Sequence, residues 1–98
     1  MRIAIVDDLA GDRALLRERL ERQLQRRSVQ ADLLEFESGE AFLAAEGEQR
    51  FTAAFLDVYM TGMSGVDAAK ELRTFDTDCL LIFTTTSTDH ALEGFQVR

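Results

Sequence analysis

The amino-acid sequence predicts an α/β fold, a doubly wound parallel sheet in a single domain of 98 residues. Two observations predict it. Short apolar segments alternate four times with segments of helical periodicity, and elements that alternate in this way form parallel sheets with right-handed crossovers. The apolar segments are also mostly continuous, which is typical of strands that helices cover on both faces.

Four apolar segments are expected to be strands. The segments Ile3–Val6 and Ala53–Leu56 are apolar throughout, as expected at the centre of a sheet. Leu33–Phe36 alternates weakly, which indicates a strand nearer to the edge. Leu80–Phe83 is the fourth strand, and a run of hydroxyl residues follows it at positions 84–88.

A helical pattern follows each of these strands. In the first pattern, leucines recur at every fourth position among charged residues, as in an amphipathic helix, and Asp12 is the expected N-cap. The second pattern ends at Gly47. The expected helices cover positions 12–27, 40–46 and 66–74, and a short last helix holds Ala91, Leu92 and Phe95.

The composition excludes several classes of protein. There are 18 acidic and 11 basic residues, and the bases cluster only on the first helix, so a nucleic-acid or membrane surface is not expected. The apolar runs are far too short to span a bilayer. Cys79 is the single cysteine and cannot form an internal disulfide. Because Met1 and Arg2 lead directly into the first strand, we expect no signal peptide and a cytoplasmic location.

Acidic and hydroxyl side chains follow three of the strands at the point where each strand ends. Asp7 and Asp8 follow the first strand, Asp57 the third, and Thr85 or a neighbour the fourth. The carboxyl ends of parallel strands meet at one crevice, where such folds bind ligands. Three carboxylates there need a cation between them, and Mg²⁺ suits oxygen ligands. A carboxylate nucleophile, a metal ion and a hydroxyl donor together predict a phosphoryl-transfer site.

Each of these residues also has a purely structural interpretation. Aspartate, serine and threonine are common after strands because they cap the next helix. For Asp7 and Asp8 alone, the two interpretations are about equally supported. Capping fits Asp57 less well, because the next helix starts several residues later. Their joint occurrence at three strand ends favours the functional interpretation.

At this point the residues resemble a known family, the receiver domains of two-component response regulators. The resemblance covers the whole chain, and the segments after residue 84 are most similar to receivers of the LytTR class. It implies a flavodoxin-like sheet with strand order 2-1-3-4. It also implies a phosphoacceptor domain that uses Mg²⁺, a sensor histidine kinase as the donor, and an output domain that binds DNA and regulates transcription. The motifs that show the resemblance are Ile3–Asp8, Phe55–Met60, Gly62–Gly65, Ile82–Thr85 and Ala91–Val97.

The resemblance assigns a role to each site residue. Asp57 resembles the phosphoacceptor. Asp8 resembles a direct ligand of the metal, Asp7 acts largely through a metal-bound water, and Asp57 with the backbone carbonyl of Tyr59 completes the ligands. Thr85 resembles the hydroxyl residue that follows the phosphoryl group when the domain switches. The side chains of Tyr59 and Ser87 stand where the family controls access of the hydrolytic water, although both also fit ordinary exposed positions.

The sequence departs from the family in two ways. Thr61 stands where the family normally has proline, and the chain has no proline at all, which should loosen the segment after Asp57. The family's fifth strand, its lysine and its fifth helix should lie beyond Arg98, and Lys70 is in the wrong place to substitute for that lysine. We therefore expect Leu80–Phe83 to be an open sheet edge, and predict a homodimer through the fourth strand and the last helix.

Two alternative functions remain at this point. The segment Asp57–Thr61 approximates the Asp-x-Asp-x-Thr signature of haloacid-dehalogenase-like phosphatases, but Tyr59 replaces their second aspartate and their nucleophile follows the first strand. A protein-interaction module that never receives phosphate is the other alternative, because the family's lysine and fifth strand are missing. The expected function is a phosphoacceptor domain that catalyses only its own phosphorylation and dephosphorylation.

Overall fold

A computed structural model describes residues 1–85 and the backbone of residues 94–97. Three helices and five strands are present in this part of the chain. The strands are β1 (Arg2–Val6), β2 (Asp32–Phe36), β3 (Ala53–Asp57), β4 (Leu80–Thr84) and β5 (Gly94–Val97), and the helices are α1 (Ala10–Arg26), α2 (Gly39–Glu48) and α3 (Gly65–Arg73).

The strands form one sheet in the order β2-β1-β3-β4-β5. The first four are parallel, and β1 pairs with both β2 and β3. The predicted doubly wound sheet with the order 2-1-3-4 is confirmed, including the place of β2 at an edge. Because β1 and β3 are neighbours, their carboxyl ends bring Asp7, Asp8 and Asp57 to the same side of the sheet.

The prediction that β4 forms an open sheet edge is wrong. Gly94–Val97 pairs with β4 in antiparallel orientation, with Thr84 opposite Gly94 and Leu81 opposite Val97. Phe95 therefore lies in a strand and not in the predicted last helix, while Ala91 and Leu92 lie outside the described residues. The physical reason is that an exposed strand leaves its N–H and C=O groups unpaired, and a nearby segment of strand-forming residues can pair with them.

Two predicted helix boundaries also differ from the structure. Helix α1 begins before Asp12, with Leu9 at the N-cap position and no side-chain cap. The Leu9 N–H donates to Asp7 Oδ1 at 2.9 Å, so a carboxylate that precedes the helix accepts one of the N–H groups at its start. Gly47, the predicted end of the second helix, lies inside α2.

The hydrophobic core lies between the sheet and helices α2 and α3. Phe42 of α2 meets Phe36 and Phe51 in a cluster of aromatic rings whose centroids are 5.7–6.0 Å apart. Leu72 of α3 is fully buried in the same core. This packing fixes β1 and β3, the two strands that lead to the site.

Helix α1 covers the opposite face of the sheet less completely. None of its residues is fully buried. Arg13 and Arg17 instead pair with Glu35 of β2, at 3.3 Å and 2.6 Å. No helix among the described residues is both long enough and apolar enough to cross a membrane.

A second group of buried acids lies at the amino end of β3 and β4. Glu46, at the end of α2, and Asp76, after α3, are each only 1% exposed. Each has one carboxyl oxygen with no hydrogen-bond donor among the described residues, and the two side chains lie within hydrogen-bonding reach of each other. Such an arrangement favours the protonated form of one of the two carboxyl groups.

Candidate functional site

Asp57 lies at the carboxyl end of β3 and is fully buried. Its Oδ1 accepts a hydrogen bond from the Tyr59 N–H at 3.3 Å, and its Oδ2 has no partner among the described residues. Burial, together with the negative charge of Asp7, raises the pKa of Asp57 to about 7. A buried carboxylate oxygen without a donor is costly unless a cation or a proton neutralises it.

Asp7 follows β1 and is also buried. Its Oδ1 accepts the bond from Leu9, and its backbone carbonyl accepts a bond from the Arg13 guanidinium at 2.7 Å. Burial raises the pKa of Asp7, and the charges of Asp12 and Asp8 add to this effect. The start of α1 therefore holds this carboxylate against the crevice.

Asp8 is more exposed than its two neighbours and is held by the segment after β3. The backbone N–H and the hydroxyl of Thr61 both donate to Asp8 Oδ2, each at 3.0 Å. The bond from the Thr61 N–H is the main reason that the pKa of Asp8 is lowered. The expectation that Thr61 loosens this segment stays a prediction, and the structure shows that the threonine N–H supplies a bond that a proline could not make.

The three carboxylates meet as the sequence predicts. One oxygen from each of Asp7, Asp8 and Asp57 lies within 4.8 Å of the others. Oxygen donors at this spacing, with an unpartnered Oδ2 on Asp57, suit a hard divalent cation such as Mg²⁺. The residues present therefore fit the ion that the sequence predicts.

Gly65 contributes to the site in a way that sequence reasoning missed. A Cβ atom at this position would lie 2.1 Å from the backbone oxygen of Asp57 and 2.8 Å from its carbonyl carbon. The Gly65 N–H also donates to the Val58 carbonyl at 3.2 Å. The first residue of α3 thus lies directly against the end of β3, which only glycine permits. The sequence signal for this role of Gly65 is its position in the same motif as Gly62.

The other predicted site residues are Thr85, Tyr59 and Ser87. Thr84 is opposite Asp57 in the sheet, and Thr84 and Thr85 both line a cavity that reaches Asp7 and α1. The side chain of Tyr59 is exposed beside the segment that follows β3. Ser87 lies outside the described residues.

Known proteins of one family resemble this chain in sequence. Residues 3–97 match the response regulator receiver domain. The sensory transduction protein LytT of Oceanobacillus iheyensis is 31% identical over 92 residues, which is 92% of this chain and 37% of that protein. LytT of Bacillus subtilis is 31% identical over 97 residues, 99% of this chain and 39% of that protein. The chain spans about two fifths of the length of these curated relatives.

Solved structures show the same fold. The response regulator TrrA of Thermotoga maritima, crystallised with Mg²⁺ and BeF, superposes with a TM-score of 0.76 at 30% identity over 90% of this chain and 71% of that chain. TrrA in complex with the histidine kinase ThkA gives a TM-score of 0.65 at 30% identity over 94% of this chain and 73% of that one. The family match extends over all five strands. The chain therefore belongs to the response regulator receiver domain family, and is a phosphoacceptor signalling domain rather than a catalytic enzyme.

Proposed function

We propose that Asp57 is the residue that accepts the phosphoryl group. The observation that carries this proposal is the buried Asp57 Oδ2, which has no hydrogen-bond partner among the described residues and lies beside the carboxylates of Asp7 and Asp8. An Asp57 oxygen forms a bond to phosphorus while the bond between phosphorus and the donor's leaving group breaks, and the leaving group keeps the electron pair. The attacking carboxylate must be ionised for this step.

The neighbouring residues are suited to hold Mg²⁺ for that step. Asp8 and Asp57 would be direct ligands, Asp7 would act through a water, and the Tyr59 backbone carbonyl would complete the protein's share. When bound, the ion would neutralise charge on the phosphoryl oxygens and favour the ionised form of Asp57. Asp7 is fixed by its bond from Leu9, and Asp8 by its bonds from Thr61, so both are oriented in advance.

We assign Thr85 as the residue that responds to the phosphoryl group. Thr85 follows β4 and lines the cavity beside Asp7, so we assign its hydroxyl as the donor to a phosphoryl oxygen. Thr84, in contrast, is part of strand β4, and its backbone carbonyl accepts a hydrogen bond from the Val58 N–H at 2.9 Å. The side chain of Tyr59, and Ser87 outside the described residues, are assigned to control of the hydrolytic water.

We further propose a sensor histidine kinase as the phosphodonor. This rests on family membership and on the TrrA–ThkA complex. A DNA-binding output domain and transcriptional regulation are proposed from the likeness to LytT alone, and a cytoplasmic location stays a prediction. The predicted homodimer loses the open edge of β4 on which it was based, because β5 pairs there.

The proposal is tested by labelling with a small phosphodonor. Incubation with acetyl phosphate and Mg²⁺ should add one acid-labile phosphoryl group, read as a mass increase of the intact protein. Asp57→Asn should abolish the increase. Asp32→Asn, which removes an exposed carboxylate at the other end of the sheet, should label normally. Persistent labelling of Asp57→Asn would place the acceptor elsewhere, and multiple turnover of a phosphate ester would favour the phosphatase alternative.

A further inference from the structure

We propose that Thr61 is a positioning residue for the metal site, through its two hydrogen bonds to Asp8. This inference rests on the proposed function, in which Asp8 is a direct ligand of Mg²⁺. The backbone N–H and Oγ1 of Thr61 converge on one oxygen, Asp8 Oδ2, at 3.0 Å each. Both bonds join residues that are 53 positions apart in the sequence, so they connect the end of β1 to the segment after β3.

The side chain of Asp8 needs an orienting contact more than the side chains of Asp7 and Asp57 do. Asp7 and Asp57 are buried and lie at the ends of central strands, so packing limits the positions of their side chains. Asp8 is only partly buried and lies one residue further from β1. A ligand whose side chain can rotate loses conformational entropy when it binds a metal, and outer hydrogen bonds reduce that loss by orienting it beforehand.

Both bonds use the same carboxylate oxygen. The other oxygen of Asp8 can therefore take part in coordination without loss of the contact with Thr61. Hydrogen bonds from neutral donors also favour the charged carboxylate that a metal requires. Mg²⁺ can therefore bind without breaking either hydrogen bond from Thr61.

Thr61 also fixes the segment that carries a second proposed ligand. Gly62, the next residue, has φ of +81°, a left-handed conformation that turns the chain back toward α3. The far end of this segment is held by Gly65 against Asp57. At the other end, just before Gly62, Thr61 joins the segment to Asp8 after β1, and the Tyr59 carbonyl lies two positions before Thr61. Loss of the Thr61 contact should therefore disturb both Asp8 and Tyr59.

Three substitutions separate the two donors of Thr61. Thr61→Ser keeps both donors, Thr61→Val keeps only the N–H, and Thr61→Pro removes both. Mg²⁺ binding can be followed by the fluorescence of Tyr59, because the chain has one tyrosine and no tryptophan. We expect Thr61→Ser to bind Mg²⁺ as the wild type does, Thr61→Val to bind roughly threefold more weakly, and Thr61→Pro to bind about tenfold or more weakly.

Control variants make the outcome decisive. Thr74→Val removes a hydroxyl that bonds to the Glu71 carbonyl at the end of α3, away from the site, and should leave Mg²⁺ affinity unchanged. Asp8→Asn should abolish or greatly weaken binding. If Thr61→Pro does not fold, the comparison of Thr61→Ser with Thr61→Val decides the matter.

The possible failures can be distinguished. Equal or tighter Mg²⁺ binding by Thr61→Val, with normal weakening in Asp8→Asn, would overturn the role of Thr61 and leave the proposed metal site intact. Absence of Mg²⁺ binding by the wild type would overturn the metal site and this inference with it. Weakening by Thr61→Ser as large as by Thr61→Val would also overturn it, because both donors remain in the serine variant.

Discussion

Two buried carboxyl groups outside the site, Glu46 and Asp76, share an environment that favours a single proton. Asp76 Oδ1 accepts from the backbone N–H groups of Asp78 and Cys79 and faces Arg50 at 3.5 Å. Burial alone would raise the pKa of Asp76, but these contacts, together with the hydrogen bond from Glu46, lower it. Glu46 accepts one backbone bond, from Phe51, and burial raises its pKa to about 7. The surroundings therefore favour the protonated form of Glu46 and the ionised form of Asp76.

This assignment predicts how stability changes with pH. The folded pKa of Glu46 is raised above its ordinary value of 4.5, so its contribution is fully present below about pH 4.5 and is lost as the pH rises to about 7. The loss amounts to about 3 kcal/mol of unfolding free energy. Glu46→Gln, whose amide can donate to Asp76 at any pH, should flatten the decline between pH 5 and pH 8 in urea unfolding.

Glu46 and the variant Glu46→Gln are best compared in proteins that also carry Asp57→Asn. The pKa of Asp57 is raised in the same direction, so Asp57 would add its own decline in stability over the same pH range. The nearby Cys79 does not interfere, since burial raises the pKa of its thiol to about 12. Arg50 and Arg73 are the other charged side chains that face this group. An unchanged slope in Glu46→Gln would show that Glu46 is not the proton carrier.

The site residues differ in how readily the sequence reveals them. Asp7, Asp8 and Asp57 could be predicted because strand periodicity locates the strand ends, and parallel topology brings those ends together. The contact between Thr61 and Asp8 could not, because it depends on the conformation of an irregular segment. The close approach of Glu46 and Asp76 also escaped prediction, since nothing in their sequence spacing places the end of α2 against the residues after α3.

At the level of elements, the first residue of α3 packs directly against the end of β3. Gly65→Ala would place a methyl group 2.1 Å from the backbone oxygen of Asp57, and the three nearest atoms are all backbone atoms of Asp57 and Val58, which leaves little room to adjust. We expect this substitution to lower the free energy of unfolding by about 2–4 kcal/mol and to weaken phosphorylation of Asp57. Urea unfolding measures the first effect and the labelling assay the second.

Gly11→Ala is the matched control for that substitution. Gly11 lies in α1, and a Cβ atom there would meet nothing within 4 Å. Gly11 is the second residue of α1, where the preference for alanine over glycine is at most about 1 kcal/mol, so Gly11→Ala should leave the stability unchanged or raise it slightly. Similar effects of the two substitutions would contradict the steric interpretation of Gly65.

The elements themselves were predicted with unequal success. The four parallel strands and the first three helices followed from continuous apolar segments and from helical periodicity, because these patterns report burial directly. Phe95 was misplaced because a short segment with few apolar residues fits helix and strand equally well, and its state depends on pairing with β4. The start of α1 was misplaced because Asp7, and not Asp12, binds the first free N–H group.

For the whole molecule, the crowded acids link stability to metal binding. Without a cation, the charges of Asp7, Asp8 and Asp57 oppose one another at the end of the sheet. Asp57→Asn should therefore raise the melting temperature in the absence of Mg²⁺. Added Mg²⁺ should raise the melting temperature of the wild type, because the ion binds the folded state, and should raise that of Asp57→Asn less.

Differential scanning fluorimetry with and without millimolar Mg²⁺ measures both effects. Asp32→Asn is the control, since it removes an exposed acid far from the crevice and should leave the response to Mg²⁺ unchanged. A wild-type melting temperature that does not respond to Mg²⁺ would contradict the metal site. A loss of stability in Asp57→Asn without metal would contradict the repulsion among the three acids.

The parallel pairing of β1 with β3 also bears on how the chain folds. This pairing joins Ile3 to Ala53, so a long stretch of chain, with α1, β2 and α2, must be enclosed before the centre of the sheet can form. The pairing of β4 with β5 joins segments much closer in sequence. Because the chain has no proline, no prolyl isomerisation can delay refolding. We therefore expect the meeting of β1 and β3 to limit the rate at which this domain folds, and the same event brings the carboxylates of Asp7 and Asp57 to one side of the sheet.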